Sequence, residues 1–298
     1  MKTDFPFEKL TEHTQEMVAE FQAAYPLEEA AKERLTPPGF AFLGQDLWEM
    51  SVLALLAGKN LLLVGEKATG KNVLAQNLAY LLNRPTWDIS FHVNIDAMTL
   101  LGSDTLHEGN VKFRPGPIYQ CAVYGGFGVL DEINMAKNEA VAVLHAVLDF
   151  RRVVDVPGYE RINLHPATRF IATMNQDYLG TRPLNEALLS RFAVIAMPPL
   201  DMERVMILLK RQFSGRAESE LTPYALLFED IRQKVASGEI SSSALDFRGL
   251  LDAFDMMELG MHQADALHLG LVNKCFDPYE RELVNDLIRA RFSATHKR

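Results

Sequence analysis

Cysteine is almost missing: the 298-residue chain carries two, Cys121 and Cys275, far apart and in apolar surroundings. Two isolated thiols exclude a disulfide framework, and without paired spacings they exclude a zinc site. Both read as buried free thiols. Long apolar runs are missing too. The longest, Val52 to Val64, is broken by Gly58-Lys59-Asn60 and is too short to cross a bilayer. The opening residues, Met1 to Phe21, lack the apolar centre of a signal peptide. The expectation is a soluble, cytoplasmic protein with no membrane partner. No basic run occurs either: 30 Lys and Arg are scattered among 39 Asp and Glu, for a net charge of −9. A protein that grips nucleic acid through its phosphates carries a basic face, so the charge counts against that partner. None of the eight histidines forms a His-Glu-x-x-His pair, and His92 and His145 read as packed or partly exposed side chains. No serine occupies a nucleophile elbow, no internal repeat is present, and no segment is of low complexity.

What is present is ample core: 48% of residues are hydrophobic and 23% charged, over a length that suits two domains or one large one. Residues 7–34 are charged and helix-prone, closed by Thr36-Pro37-Pro38-Gly39. A helical run, Gln45 to Ala57, precedes the wholly apolar Asn60 to Val64, a pattern typical of a strand buried on both faces. Val73, Leu74, Leu78, Leu81 and Leu82 then recur at helical spacing until Asn83-Arg84-Pro85. Further strand-like runs are Trp87 to Val93, Phe127 to Leu130, Phe170 to Met174 and Ala193 to Met197, and a helix is expected over Lys137 to Phe150. Strands alternating with helices predict an α/β fold with a parallel sheet flanked by helices. Residues 105–113 and 152–164 each read as a hairpin insert. Beyond residue 202 the strands disappear, and 202–213, 222–236, 245–260 and 277–292 read as helices. The expected division is a helical segment over 1–40, an α/β domain over 41–201 and an all-α domain over 202–298.

Three strand ends carry chemistry. Gly65-Glu66-Lys67-Ala68-Thr69-Gly70-Lys71-Asn72 fits G-x-x-x-x-G-K-[ST] except at its last position. The glycines allow a turn that points N–H groups at phosphate oxygens, the following helix adds the positive end of its dipole, and Lys71 reaches the β- and γ-phosphates. A plain Gly-rich turn with a surface lysine would show the same letters. Phe127 to Glu132 ends an apolar strand in two acids at the ligand-binding edge of such a sheet. Asp131 suits Mg²⁺ through a water and Glu132 suits polarising an attacking water, although a solvated acid pair reads equally well alone. Phe170 to Asn175 ends a third strand in an amide able to bond a γ-phosphate or the attacking water, or simply to form a turn.

With these parts in order, the chain resembles the AAA+ ATPases, specifically the MoxR-like branch, from Phe42-Leu43-Gly44-Gln45 to its helical C-terminus. The resemblance implies a P-loop fold with a smaller helical lid and the following roles. Gly65–Asn72 matches the Walker A loop, with Gly65, Glu66, Lys67, Ala68, Thr69, Gly70, Lys71, Asn72 and Val73 on the nucleotide. Val129–Glu132 matches Walker B and Asn175 sensor 1. Arg191, closing Leu184 to Phe192, falls where the family offers an arginine finger to a neighbour's nucleotide. Arg248, in Leu245 to Leu250, falls at sensor 2. The hairpins fall at the helix-2 insert and the pre-sensor-1 hairpin. ATP and Mg²⁺ are the implied cofactors, a homo-oligomer, in the family a hexameric ring, the implied assembly, and a von Willebrand factor A protein a possible type of partner. Without the resemblance, Arg191 reads as a pair for the last carbonyls of its helix and Arg248 as a solvated charge.

Asn72 stands where a hydroxyl ordinarily binds Mg²⁺ directly. Its carbonyl is an acceptable hard ligand but the side chain is one atom longer, and Mg²⁺ tolerates little departure from octahedral geometry. Nucleotide binding is expected to survive, and hydrolysis to be slower or to use a shifted metal, with Asn72 and Asp131 as the metal residues. The expected function is Mg²⁺-dependent ATP hydrolysis that drives chaperone-like remodelling or activation of a partner protein. A nucleotide-gated scaffold with little hydrolysis and a nucleic-acid motor are the alternatives.

Overall fold

The computed structural model describes residues 10–156, 158–159, 161–175 and 184–292. The expectations for the first nine and last six residues, and for 176–183, lie outside them. The chain divides into two compact units, one of Met1–Glu66 and Gly70–Met197 and the other of Lys67–Thr69 and Pro198–Arg298.

In the first unit, strands β1 (Asn60–Gly65), β2 (Thr86–Ser90), β5 (Phe127–Asp131), β8 (Arg169–Asn175) and β9 (Phe192–Ala196) form one five-stranded sheet. Its order is β2-β5-β8-β1-β9 and every pairing is parallel. β1 lies inside the sheet, and alternation of its side chains divides them between two cores. Leu61 and Leu63 pack with Val129, Ile171 and Ile195 on one face. Leu62 and Val64 pack with Ile89, Leu130, Phe170 and Ala172 on the other. That double burial is why the strand reads as an unbroken apolar run.

Helices α1 (Glu12–Ala24), α2 (Gln45–Leu56), α3 (Lys71–Leu81), α4 (Ala97–Leu101), α5 (Pro117–Val123), α6 (Asn138–Val147) and α7 (Glu186–Leu189) complete this unit. The run expected over 7–34 is divided: α1 ends before Pro26, whose ring cannot continue a helix, and Glu29–Arg34 is a separate 3-10 turn. The strand expected to reach Val93 stops at Ser90, because its partner β5 ends at Asp131 in register with it.

Both inserts are hairpins. β3 (Gly102–His107) and β4 (Asn110–Pro115) pair from Gly102↔Pro115 to His107↔Asn110. The turn between them, Glu108-Gly109, has φ of 52° and 79°, the doubly left-handed backbone that matches strand twist. β6 (Val153–Val154) and β7 (Ile162–Asn163) share only Val153↔Asn163 and Val154↔Ile162. A second tie supplements that short ladder: the Tyr159 hydroxyl donates to Asp104 of β3, and the Tyr159 and Phe113 rings lie 4.4 Å apart.

The second unit is helical, with α8 (Met202–Gln212), α9 (Glu218–Ala236), α10 (Phe247–Glu258), α11 (Gln263–Gly270) and α12 (Pro278–Phe292) around one core. α10 and α11 touch backbone to backbone: a Cβ on Gly249 would lie 2.0 Å from the Gly270 carbonyl oxygen. Both cysteines are buried free thiols, as expected. Among the described residues no helix is long and apolar enough to cross a membrane.

Candidate functional site

The parallel sheet brings the three chemical strand ends to one edge. β8 lies between β1 and β5, and its register sets Asn175 beside Gly65 and Ala172 beside Leu130. From Gly65 the chain curls through Glu66–Gly70 into α3. Two residues of the curl are left-handed, Ala68 at φ 66° and Gly70 at φ 83°. Glycine takes that backbone freely, whereas at alanine it costs about 1–2 kcal/mol. α3 starts on Gly70 with no side-chain cap, so its first N–H groups and the positive end of its dipole are directed at whatever the loop encloses.

Lys71 folds back under this loop. It is 8% exposed, and its Nζ donates to the carbonyls of Gly65 (3.0 Å) and Glu66 (2.7 Å). Burial brings its pKa down from 10.5 to about 8, against the opposing pull of Asp131, Glu132 and Glu66. Asn72 follows it, half-buried.

The acids at the end of β5 are held by β8. Thr173, 1% exposed, accepts the Glu132 backbone N–H at 3.1 Å and donates its hydroxyl proton to Asp131 Oδ1. Glu132 is left-handed, φ 54°, which swings the chain out of the strand into the 3-10 turn Ile133–Met135. Its exposed carboxylate accepts a bond from Asn175 Nδ2 at 3.3 Å. Asp131, Glu132 and Asn175 are thus tied together through Thr173 and the Asn175 amide, and Lys71, on a third segment, lies close enough to feel the charge of both acids.

Arg191 is held apart from this group, and Arg248 belongs to the second unit. Arg191, just beyond α7, donates to the Ala187 carbonyl and pairs with Asp149 at 3.4 Å, while Asp149 also takes Arg151 at 2.8 Å. The carbonyl contact is the one anticipated for a helix-end arginine, and neither partner belongs to the strand-end group. Arg248 lies in the second unit, exposed, in the first turn of α10, with its backbone N–H on Asp246 at 3.1 Å.

Thr173 and Asp149 escaped the sequence reading. A hydroxyl inside the otherwise apolar run Phe170 to Met174 was the available sign for the first; nothing in the local sequence marks the second.

A glycine-turned loop opening a helix, a buried lysine beneath it, and an acid pair and an amide on adjacent strand ends define a nucleoside-triphosphate-binding P-loop fold. Residues 60–192 match the AAA domain of the dynein-related subfamily. The uncharacterized protein YojN of Bacillus subtilis is 32% identical over 81% of this chain and 81% of its own. An uncharacterized protein of Staphylococcus epidermidis is 32% identical over 83% of this chain and 96% of its own. A crystal structure from Cytophaga hutchinsonii covers 93% of this chain and 97% of its own at 16% identity, with a TM-score of 0.48, too remote to bear on function. The chain belongs to the AAA+ ATPase family, through its dynein-related AAA domain.

The donor set suits the cofactors of that family. Mg²⁺ takes hard oxygen ligands and keeps much of its water; the Asp131 carboxylate and the Asn72 carbonyl are such donors. Among the described residues no cluster of three His, Cys, Asp or Glu could enclose a metal alone.

Proposed function

We propose that this chain binds ATP with Mg²⁺ and hydrolyses it, as a MoxR-type AAA+ protein whose turnover remodels or activates a partner protein. The observation that carries the reading is that a buried lysine under a glycine-turned loop, the Asp131–Glu132 acid pair and the Asn175 amide on it meet at one sheet edge. The backbone of Gly65–Val73 receives the phosphates and Lys71 adds charge. Asp131, through a water, and Asn72 would hold the metal, which would supply charge neutralisation on the phosphate oxygens. Glu132 takes a proton from the attacking water, and Asn175 keeps its carboxylate in place. Arg191 serves a neighbouring copy's nucleotide in a ring of six, because a planar, permanently charged guanidinium suits charge developing on a γ-phosphate. The partner is a protein, with a von Willebrand factor A domain as the first type to try; the net charge of −9 argues against nucleic acid.

Steady-state phosphate release from ATP, with and without Mg²⁺, tests the proposal. Release that requires Mg²⁺ and rises more than linearly with protein concentration is expected. Background release in every condition would overturn hydrolysis and leave the second reading, a nucleotide-gated scaffold, which Asn72 in place of a hydroxyl favours. Restoring the hydroxyl with Asn72→Thr is expected to leave ATP affinity within about twofold and raise turnover by up to roughly tenfold, about 1.4 kcal/mol of barrier. A loss of nucleotide binding in that variant would show that the loop geometry depends on the amide.

Lys71 gives the site a pH signature. Phosphate favours the ammonium form, so binding raises a pKa that stands at about 8 in the free protein. Below that pH the lysine is already charged and affinity is flat in its contribution. Above it, binding must take up a proton, and ATP affinity falls by up to about tenfold per pH unit. Fluorescent-nucleotide titrations between pH 7 and 10 read this directly, and a flat profile would contradict the assigned role.

A further inference from the structure

We propose that Thr173 is a positioning residue for the paired acids at the end of β5, fixing the aim of both; the proposal rests on the hydrolytic reading above. A threonine hydroxyl has one proton to give and lone pairs to receive. Here both functions are used on consecutive residues of the neighbouring strand: the proton goes to Asp131 Oδ1, and the oxygen receives the Glu132 N–H at 3.1 Å. With one oxygen engaged, rotation of the Asp131 carboxylate is restrained. The bond to Glu132 restrains a different freedom. A non-glycine residue at φ 54° persists only where its surroundings over-determine it, and this bond is part of that determination. Two residues on, Asn175 holds the Glu132 side chain. β8 therefore grips Glu132 by backbone and by carboxylate, and Asp131 by carboxylate. Because Thr173 is 1% exposed, water cannot readily replace the hydroxyl if it is removed.

Packing makes the opposite forecast. Valine has the same shape as threonine and suits a strand interior, so if Thr173 only fills space, Thr173→Val leaves the site unchanged. The test uses the full chain with Thr173→Val and Thr173→Ser. Mn²⁺ affinity of the ATP-loaded protein is read by electron paramagnetic resonance, ATP affinity by titration in EDTA, and turnover by phosphate release. The valine variant is expected to lose about 10–100-fold in Mn²⁺ affinity and turnover, the usual cost of removing a partner of a metal ligand. Its metal-free ATP affinity should stay within about twofold, and serine should recover most of the loss. Equal Mn²⁺ affinity in valine and wild type would overturn the proposal, as would serine failing as fully as valine while still binding metal-free ATP. If valine unfolds the chain, Thr173→Ala against Thr173→Ser gives the same contrast: a low alanine and a high serine support it, equal values overturn it. A wild type that hydrolyses nothing would refute the hydrolytic reading, and the Mn²⁺ affinities would still decide the role of Thr173.

Discussion

Glu132→Gln is expected to lower ATP turnover by about 10²–10⁴-fold, the range for losing a positioned general base, with nucleotide affinity nearly unchanged. The two effects separate because Glu132 is exposed at the end of β5, outside the Gly65–Gly70 loop and its buried lysine. Glutamine keeps an Oε1 acceptor for the Asn175 amide, which donates to the glutamate at 3.3 Å. What the variant gives up is a carboxylate able to accept the proton of an attacking water. Phosphate release at saturating Mg²⁺–ATP measures the first quantity and a fluorescent-nucleotide titration the second. Turnover at the wild-type rate would remove Glu132 from the chemistry, and a collapse of affinity would assign it to binding.

Phe254→Ala is expected to destabilise the second unit by about 3–5 kcal/mol, as for other buried aromatics truncated in a core. Phe254 is fully buried. Its ring stacks on Phe213 at 4.5 Å, meets Tyr224 at 4.3 Å and lies 5.5 Å from the Arg216 guanidinium. Three helices thus meet on one side chain: α10 carries it, Tyr224 comes from α9 and Phe213 closes α8. Tyr224 is in turn fixed through its hydroxyl by Gln263 and Met257, so the hole cannot close by a simple rotation of that ring. Thermal and urea unfolding followed by circular dichroism measure the loss. Phe254→Leu should recover much of it, and a shift below about 1 kcal/mol for the alanine variant would mean that the core repacks.

Much of this architecture was legible in the residues, for identifiable reasons. β1 was placed to within one residue because a short wholly apolar run between a helix and a glycine turn has few other uses. The ends of β5 and β8 were found because each apolar run stops at a polar residue. α11 escaped notice: Gln263–Gly270 is short, polar in its first turn and closed by a glycine whose purpose lies in Gly249 of another helix. α5 was hidden behind Pro117, which reads as a breaker and here opens a helix instead. The contacts that organise the site were the least visible. Thr173 and Asp131 are 42 positions apart, as are Arg191 and Asp149. Each pairing follows from tertiary neighbours, β5 beside β8 and α6 near α7, which local pattern does not encode.

In β6 and β7, two paired positions per strand make only a short ladder, and the Tyr159 ring against Phe113 and its hydroxyl on Asp104 add a link to the longer hairpin. The exposed Leu106 and Val111 lie near the tip of that longer hairpin. From β7 the backbone reaches β8 within six residues, at Arg169, and β8 is the strand that carries Thr173 and Asn175. The apolar tip of one hairpin and the strand that holds Glu132 are thus joined by a single run of side-chain contacts and backbone.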